Sequence, residues 1–282
     1  MTFTFNEQPV TIPQGNDMLF ADVHVDGREA VVFLPGWSGT RYGPQRILWQ
    51  AAEELAARGF TTARLDFRGR GDATGNAATV TLDNMIEDVI GLVMWLRLQH
   101  RVGTVHLVGL CSGGNVALGA ASLLHDVGHV VCWSLLPFME HKTQATHQGT
   151  PRGAMLAQLI QKALRPETWR KLLRGEANVR GAVKMVVKDK EGDDEEKRRK
   201  TSRRDILTDL TRQFRGRLHL LYGSRDPEAA GSQAFFTEWC RRQTIAVDTR
   251  VITGAPHNFY TVRWTREVVV QTAAWVSGGQ GG

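Results

Sequence analysis

What most constrains the fold is a rhythm in which short apolar runs, several ended by glycine-rich turns, alternate with segments whose apolar residues recur at helical spacing. Ala30-Val-Val-Phe-Leu-Pro-Gly-Trp is a continuous apolar run halted at Pro35-Gly36, the pattern of a strand covered on both faces. Residues 45–58 read as a helix with Gly59 as its C-terminal cap. A strand over 60–67 then opens into Arg68-Gly-Arg-Gly-Asp-Ala-Thr-Gly75. Residues 82–98 read as a helix, with Asp83 and Glu87 suited to the positive end of its dipole. A strand over 104–109, a helix over 115–124 and a strand over 130–136 follow. This order predicts an α/β fold, a mostly parallel sheet with helices on both faces. Upstream, alternation over 18–27 predicts a strand ending in an Asp26-Gly27 hairpin turn.

From 138 to 214 the rhythm stops, and Lys188-Asp-Lys-Glu-Gly-Asp-Asp-Glu-Glu-Lys-Arg-Arg-Lys200 cannot be core. Such a mixed-sign run reads as a solvated helix face or mobile loop, the alternative being a docking site for an anionic partner. The α/β rhythm resumes with a strand over 218–222, a helix over 232–241, a strand over 247–252 and a helix over 263–276. The expectation is one domain interrupted by a lid: core at 1–137 and 215–277, insertion above the sheet at 138–214, and a frayed tail at 278–282.

Composition agrees with a sizeable core, since 42% of the 282 residues are hydrophobic and 23% charged. The formal charge of +6 is spread along the chain without a recognised nucleic-acid module, which argues against nucleic-acid binding. Three widely spaced cysteines do not make a secreted disulfide framework, so a reducing, cytoplasmic setting is expected. No secretory signal is visible, and the longest apolar stretch, at 130–139, is roughly half of the ~20 residues a membrane span needs.

The motif that carries chemistry is Gly109-Leu-Cys-Ser-Gly-Gly114, between an apolar strand and a small-residue helix. In a nucleophile elbow the reacting residue sits on a strained strand-to-helix turn, with room only for small residues two positions before and after it. Cys111 has Gly109 and Gly113 there, whereas Ser112 would have Leu110 two before it, so the spacing selects the cysteine. The helix N-terminus that follows favours a thiolate. Candidate partners come in the order nucleophile, acid, histidine: Asp226 on the turn Tyr222-Gly-Ser-Arg-Asp-Pro227, and His257 after the last strand. Glu228 and Glu140 are lesser candidates for the acid, and His106, inside the strand before the elbow, reads as a packed residue. The backbone N–H groups of Trp37 and Ser112 are the candidate oxyanion donors.

The chain resembles α/β-hydrolases of the serine aminopeptidase-like group, and within it the bacterial hydrolases associated with the exosortase A system. The matching stretches are Leu34-Pro-Gly-Trp-Ser-Gly, Arg41-Tyr-Gly-Pro-Gln-Arg46, Arg64-Leu-Asp-Phe-Arg-Gly-Arg-Gly-Asp72, Gly109-Leu-Cys-Ser-Gly-Gly and, in the lid, Trp169-Arg-Lys-Leu-Leu-Arg-Gly175. Serine is usual at that elbow. The Gly-x-Cys-x-Gly-Gly form is similar to dienelactone hydrolases and polyhydroxyalkanoate synthases, and that likeness implies acyl transfer through a thioester rather than peptide cleavage.

The expected activity is hydrolysis of a small-molecule acyl ester or thioester: Cys111 attacks, His257 moves the proton, Asp226 orients the imidazole, and neither metal nor organic cofactor is needed. An acyltransferase using the same triad and a non-catalytic binding scaffold are the alternatives. The acyl group and the oligomeric state are not legible in the sequence.

Overall fold

A computed structural model describes residues 4–138 and 194–278 of the chain. Its centre is one eight-stranded sheet, built from β1 (Gln8–Gln14), β2 (Asp17–His24), β3 (Ala30–Leu34), β4 (Thr61–Asp66), β5 (Val105–Leu110), β6 (Val127–Trp133), β7 (Arg217–Gly223) and β8 (Val247–Ile252). The strand order is β1-β2-β4-β3-β5-β6-β7-β8. Every pairing from β4 to β8 is parallel, and β2 runs antiparallel to both β1 and β4. The central strands β3, β4 and β5 are buried along their whole length; β3 is an unbroken apolar run, whereas β4 carries Arg64 and Asp66 and β5 carries His106.

Helices cover both faces. On one lie α2 (Leu82–His100), α3 (Ser112–Ala121), α4 (Ile206–Gln213) and α5 (Ala229–Gln243), packed into a core with Val32, Leu65, Leu107 and Leu220. On the other lie α1 (Ile47–Ala56) and α6 (Val262–Val276), packed on Val31, Phe33, Val108 and Leu221. The alternation of Val31 and Phe33 with Val32 between the two cores is the two-residue period of a strand. Thr81 caps α2 by accepting from the Asn84 amide, and the Asn84 side chain answers from the Thr81 amide.

Three expectations are corrected. Asp26-Gly27 is not a hairpin, because β2 does not pair with β3; the chain crosses over there, and the hairpin joins β1 to β2 at Gly15. β1 itself went unread: it is a polar edge strand, and Pro9 and Pro13 weaken its signature. Third, α4 falls within the 138–214 segment expected above the sheet, yet Ile206, Leu207 and Leu210 are buried in the main core and the helix packs on α3. Most of that segment, with Glu140 and Trp169–Gly175, lies outside the described residues, as do 279–282. Residues 194–200 are helical.

Candidate active site

The parallel strands end on one edge of the sheet, where ligands bind in open α/β folds. Cys111 follows β5 directly and takes φ 54° and ψ −122°, a conformation costly for any residue with a side chain, on the order of 1–3 kcal/mol. Two backbone bonds hold it, its amide donating to the Trp133 carbonyl at 2.7 Å and the Gly114 amide donating back to its carbonyl at 2.9 Å, and α3 begins at the next residue, Ser112. The two glycines of the motif are needed for close approach. A methyl group at Gly109 would collide with the Gly113 carbonyl; one at Gly113 would lie 2.6 Å from the Pro35 carbonyl oxygen and nearer still to that of Leu34. The turn is therefore centred on Cys111, and Ser112 is already the first helical residue.

The β7–α5 and β8–α6 loops bring the other two residues together. Backbone bonds from Ser224 to Ile252 (3.0 Å) and from Arg225 to Ala255 (2.9 Å) zip the loops, and the fully buried Phe259 anchors the second one. His257 Nδ1 then lies 2.7 Å from Asp226 Oδ2. The Asp226 side chain is 2% exposed and that of His257 28%. The hydrogen bond to Asp226, then the one to Cys111, raise the His257 imidazole to about 10, outweighing the opposing effect of burial. Burial alone would push the Asp226 carboxyl up, but hydrogen bonds, above all from His257, hold it below the usual carboxylate range. Glu228 does not compete for the imidazole; its amide donates to Asp226 Oδ1 at 3.2 Å.

Sequence reasoning missed Ser134. It follows β6 with φ 48°, is fully buried, and its hydroxyl donates to the His257 carbonyl at 2.8 Å while lying close enough to Asp226 to help hold that carboxyl low. A polar residue immediately after a buried parallel strand was the available signal.

Trp37 lies in a turn closed by the Gly39 amide on the Gly36 carbonyl at 2.9 Å, beside the elbow, and its own carbonyl accepts from Arg70 Nε. A cavity of about 400 Å³ is lined by Cys111, Ser112, Trp37, Leu82 and Phe138, with Asp194, Glu196, Lys197 and Lys200 from the 194–200 helix also on its wall. Among the described residues, no group of three or more His, Cys, Asp or Glu side chains is placed to hold a metal ion.

A model of the alpha/beta hydrolase family matches residues 31–271. The chain belongs to that family. No curated protein matches the sequence. Among solved structures it is similar to an esterase of Pyrococcus furiosus, with a TM-score of 0.66 at 18% identity over 98% of this chain and 92% of the other. Dienelactone hydrolase from Anabaena variabilis gives 0.63 at 15% over 98% and 99%, and Est1E from Butyrivibrio proteoclasticus, with ferulic acid bound, 0.65 at 15% over 95% and 98%. These similarities establish the α/β-hydrolase fold.

His106, His129 and His219 lie far from this edge, near the starts of β5, β6 and β7. They form a column of rings with centroids 5.1 Å apart at each step, capped by Trp275 at 4.7 Å. His129 Nδ1 and His219 Nε2 are 2.9 Å apart, and Glu29 and Asp248 approach the outer rings at 3.1 and 3.2 Å. The carboxylates raise affinity for protons, but burial dominates: His129 is pushed down to about 4 and His219 to about 3, with His106 also lowered.

Proposed function

We infer that this protein hydrolyses a small acyl ester or thioester through an acyl-cysteine at Cys111. The observation that carries this reading is a cysteine on a strained strand-to-helix turn, facing a histidine whose proton affinity it raises and whose Nδ1 is held by a buried carboxylate. The raised proton affinity of the imidazole favours the state in which the thiol proton has already moved to His257, leaving sulfur free to attack. Sulfur then attacks the acyl carbon, an S–C bond forms, and the carbonyl π pair moves to oxygen. The Ser112 amide at the start of α3 and the Trp37 amide receive that charge. On collapse the bond to the leaving alcohol or thiol breaks and His257 returns the proton to it. Water, deprotonated by His257, then attacks the thioester, releasing the carboxylic acid and restoring the thiol. Asp226 keeps Nε2 turned to the reacting atoms, and Ser134 fixes the backbone of the histidine loop.

The apolar residues of the cavity receive the acyl part, and the segment between β6 and α4 acts as the lid, with 194–200 as its portion over the cavity. The stretches that resemble exosortase A-associated hydrolases support reading the chain as a member of that group. A nucleophilic thiol that must stay reduced fits the cytoplasm; all three cysteines are free, and among the described residues no helix is long and apolar enough to cross a membrane.

The test is intact-mass detection of an acyl adduct, mapped to Cys111, after mixing with a panel of activated esters and thioesters. Full turnover by Cys111→Ala on a substrate of the wild type would sink the proposal.

A further inference from the structure

We propose that Arg70, Arg199 and Lys200 form an anion pocket beside Trp37 that receives a carboxylate or phosphate carried by the substrate.

The argument rests on which arginines already have counter-ions. Four crowd the loops under the site. Arg41 pairs with Asp22, Asp66 and Asp72; Arg64 with Glu7 and Asp22; Arg68 with Asp88 and Glu87. Those pairings occupy Asp22, Asp66 and Asp88, while Asp194 and Glu196 lie on the cavity wall. Arg70, 9% exposed, has no carboxylate partner among the described residues. Its Nε donates to the Trp37 carbonyl, its Nη1 to the Arg68 carbonyl at 3.3 Å, and its guanidinium carbon lies 5.3 Å from the centre of the Trp37 indole. No acceptor among the described residues takes a bond from Nη2. A buried cation bonded only to neutral carbonyls retains most of its desolvation cost, so the fold gains from an anion there.

A second guanidinium without an ion-pair partner among the described residues arrives at the same loop from the mixed-charge segment. Arg199 Nη1 donates to the Ala77 carbonyl at 3.3 Å, while its Nε is buried with no partner at all. Ala77 packs directly on Gly69, the residue before Arg70: a methyl group on Gly69 would stand 2.9 Å from the Ala77 Cα. The two cations are close enough to oppose each other, and Arg70 is held below the usual arginine range by burial and then by Arg199, against a smaller opposing pull from Asp88. Lys200, one residue on, places its ammonium 5.3 Å from the same indole ring, and lines the cavity with Cys111. Its bond to Glu196 is an exposed pair one helical turn apart, the kind that contributes little.

Trp37 ties this cluster to the chemistry, since its ring carries the cations and its residue lines the cavity that holds the nucleophile. Guanidinium forks match carboxylate and phosphate oxygens in shape, which a lone ammonium does not. The substrate class is then an acyl compound with an apolar acyl portion and an anionic group. This rests on the acyl-hydrolase reading for the reaction, but not for the binding.

The experiment has a kinetic and a binding arm. Kinetically, the half-ester of glutaric acid is compared with its neutral methyl diester, which tests charge on the acyl side. Butyryl thioesters of 2-mercaptoethyl phosphate and 2-mercaptoethanol test it on the leaving-group side. One of the two pairs is expected to show at least a tenfold kcat/KM preference for the anion. That preference collapses in Arg199→Gln and in Lys200→Gln, and is partly restored in Arg199→Lys. In the binding arm, Cys111→Ala is titrated calorimetrically with glutarate and with inorganic phosphate; saturable binding that Arg199→Gln weakens about tenfold or more is expected. Equal rates within both pairs, together with no saturable binding of either anion, overturn the proposal. Arg199-dependent binding without turnover of any ester by the wild type leaves the anion pocket standing and removes the hydrolase reading instead.

Discussion

The histidine column makes acid sensitivity a property of three strand positions remote from the reacting groups. In the folded chain His129 and His219 stay neutral down to about 4 and about 3. An unfolded histidine gains its proton near pH 6.5. Between these values the unfolded state binds more protons, so stability is present above about pH 6.5 and is lost as pH falls toward 4. From pH 7 to pH 5 each ring held neutral costs about 1.9 kcal/mol; the part-exposed His129 is screened and contributes less, leaving about 3 kcal/mol for the pair. Asp248 and Glu29 oppose the loss and Arg217 adds to it, and their effects are already contained in those positions. His257 acts in the other direction: raised to about 10, its stabilisation is complete below pH 6.5 and fades as pH climbs through 10. It gives back about 0.8 kcal/mol over the same interval, equally in wild type and variant. The perturbation is the double substitution His129→Gln, His219→Gln, and the assay is urea unfolding at pH 7 and pH 5. At a slope of about 3 kcal/mol per molar, the wild-type midpoint should drop about 1 M further between the two pH values than that of the variant. If the variant loses as much stability on acidification as the wild type, the column is not the acid-sensitive element.

Three further outcomes concern the site. Cys111→Ala should abolish adduct formation and turnover while Ser112→Ala, read by the same mass and rate assays, keeps the adduct on Cys111, because the elbow is centred on residue 111. Asp226→Asn removes the largest cause of the raised His257 pKa; kcat should fall about 10²–10⁴-fold, and the imidazole titration followed by NMR should move down from about 10 toward its ordinary range. Gly113→Ala forces a methyl against the Leu34 and Pro35 carbonyls and must push the elbow from the oxyanion loop; a loss of about 1–3 kcal/mol in urea unfolding is expected, with kcat falling while the fold survives.

The buried strands were legible where their chemistry is local: β3 is apolar throughout and β5 nearly so, whichever neighbour they meet, and the more exposed β8 was placed at its observed bounds. β1 was not, since an edge strand with two prolines owes its existence to pairing with β2 rather than to its own residues. α3 was read as beginning at 115, three residues late, because Ser112-Gly-Gly are poor helix formers held in the helix by the turn before them. α4 was hidden by its polar composition, although three apolar residues on one face suffice to bury it.

The same division runs through the site. Cys111 could be selected from spacing alone, because what the elbow excludes is bulk at positions two residues away in the chain. The Asp226–His257 pair was legible only as an order; its 2.7 Å contact depends on two loops zipped by backbone bonds that no side-chain pattern announces. Arg70 and Arg199 lie at the far end of this scale. An arginine in sequence is only a charge, and whether that charge is spent depends on where every nearby carboxylate points. Asp22 and Asp66 pair with Arg41, and Asp88 with Arg68, so among the described residues the guanidinium beside Trp37 has no ion-pair partner and feels Asp88 only at longer range. A residue's availability to a substrate is thus a property of its neighbours' commitments, which is why the mixed-charge run ending at Lys200 looked like a solvated face and acquires a role only when its arginine is found beside another without a partner.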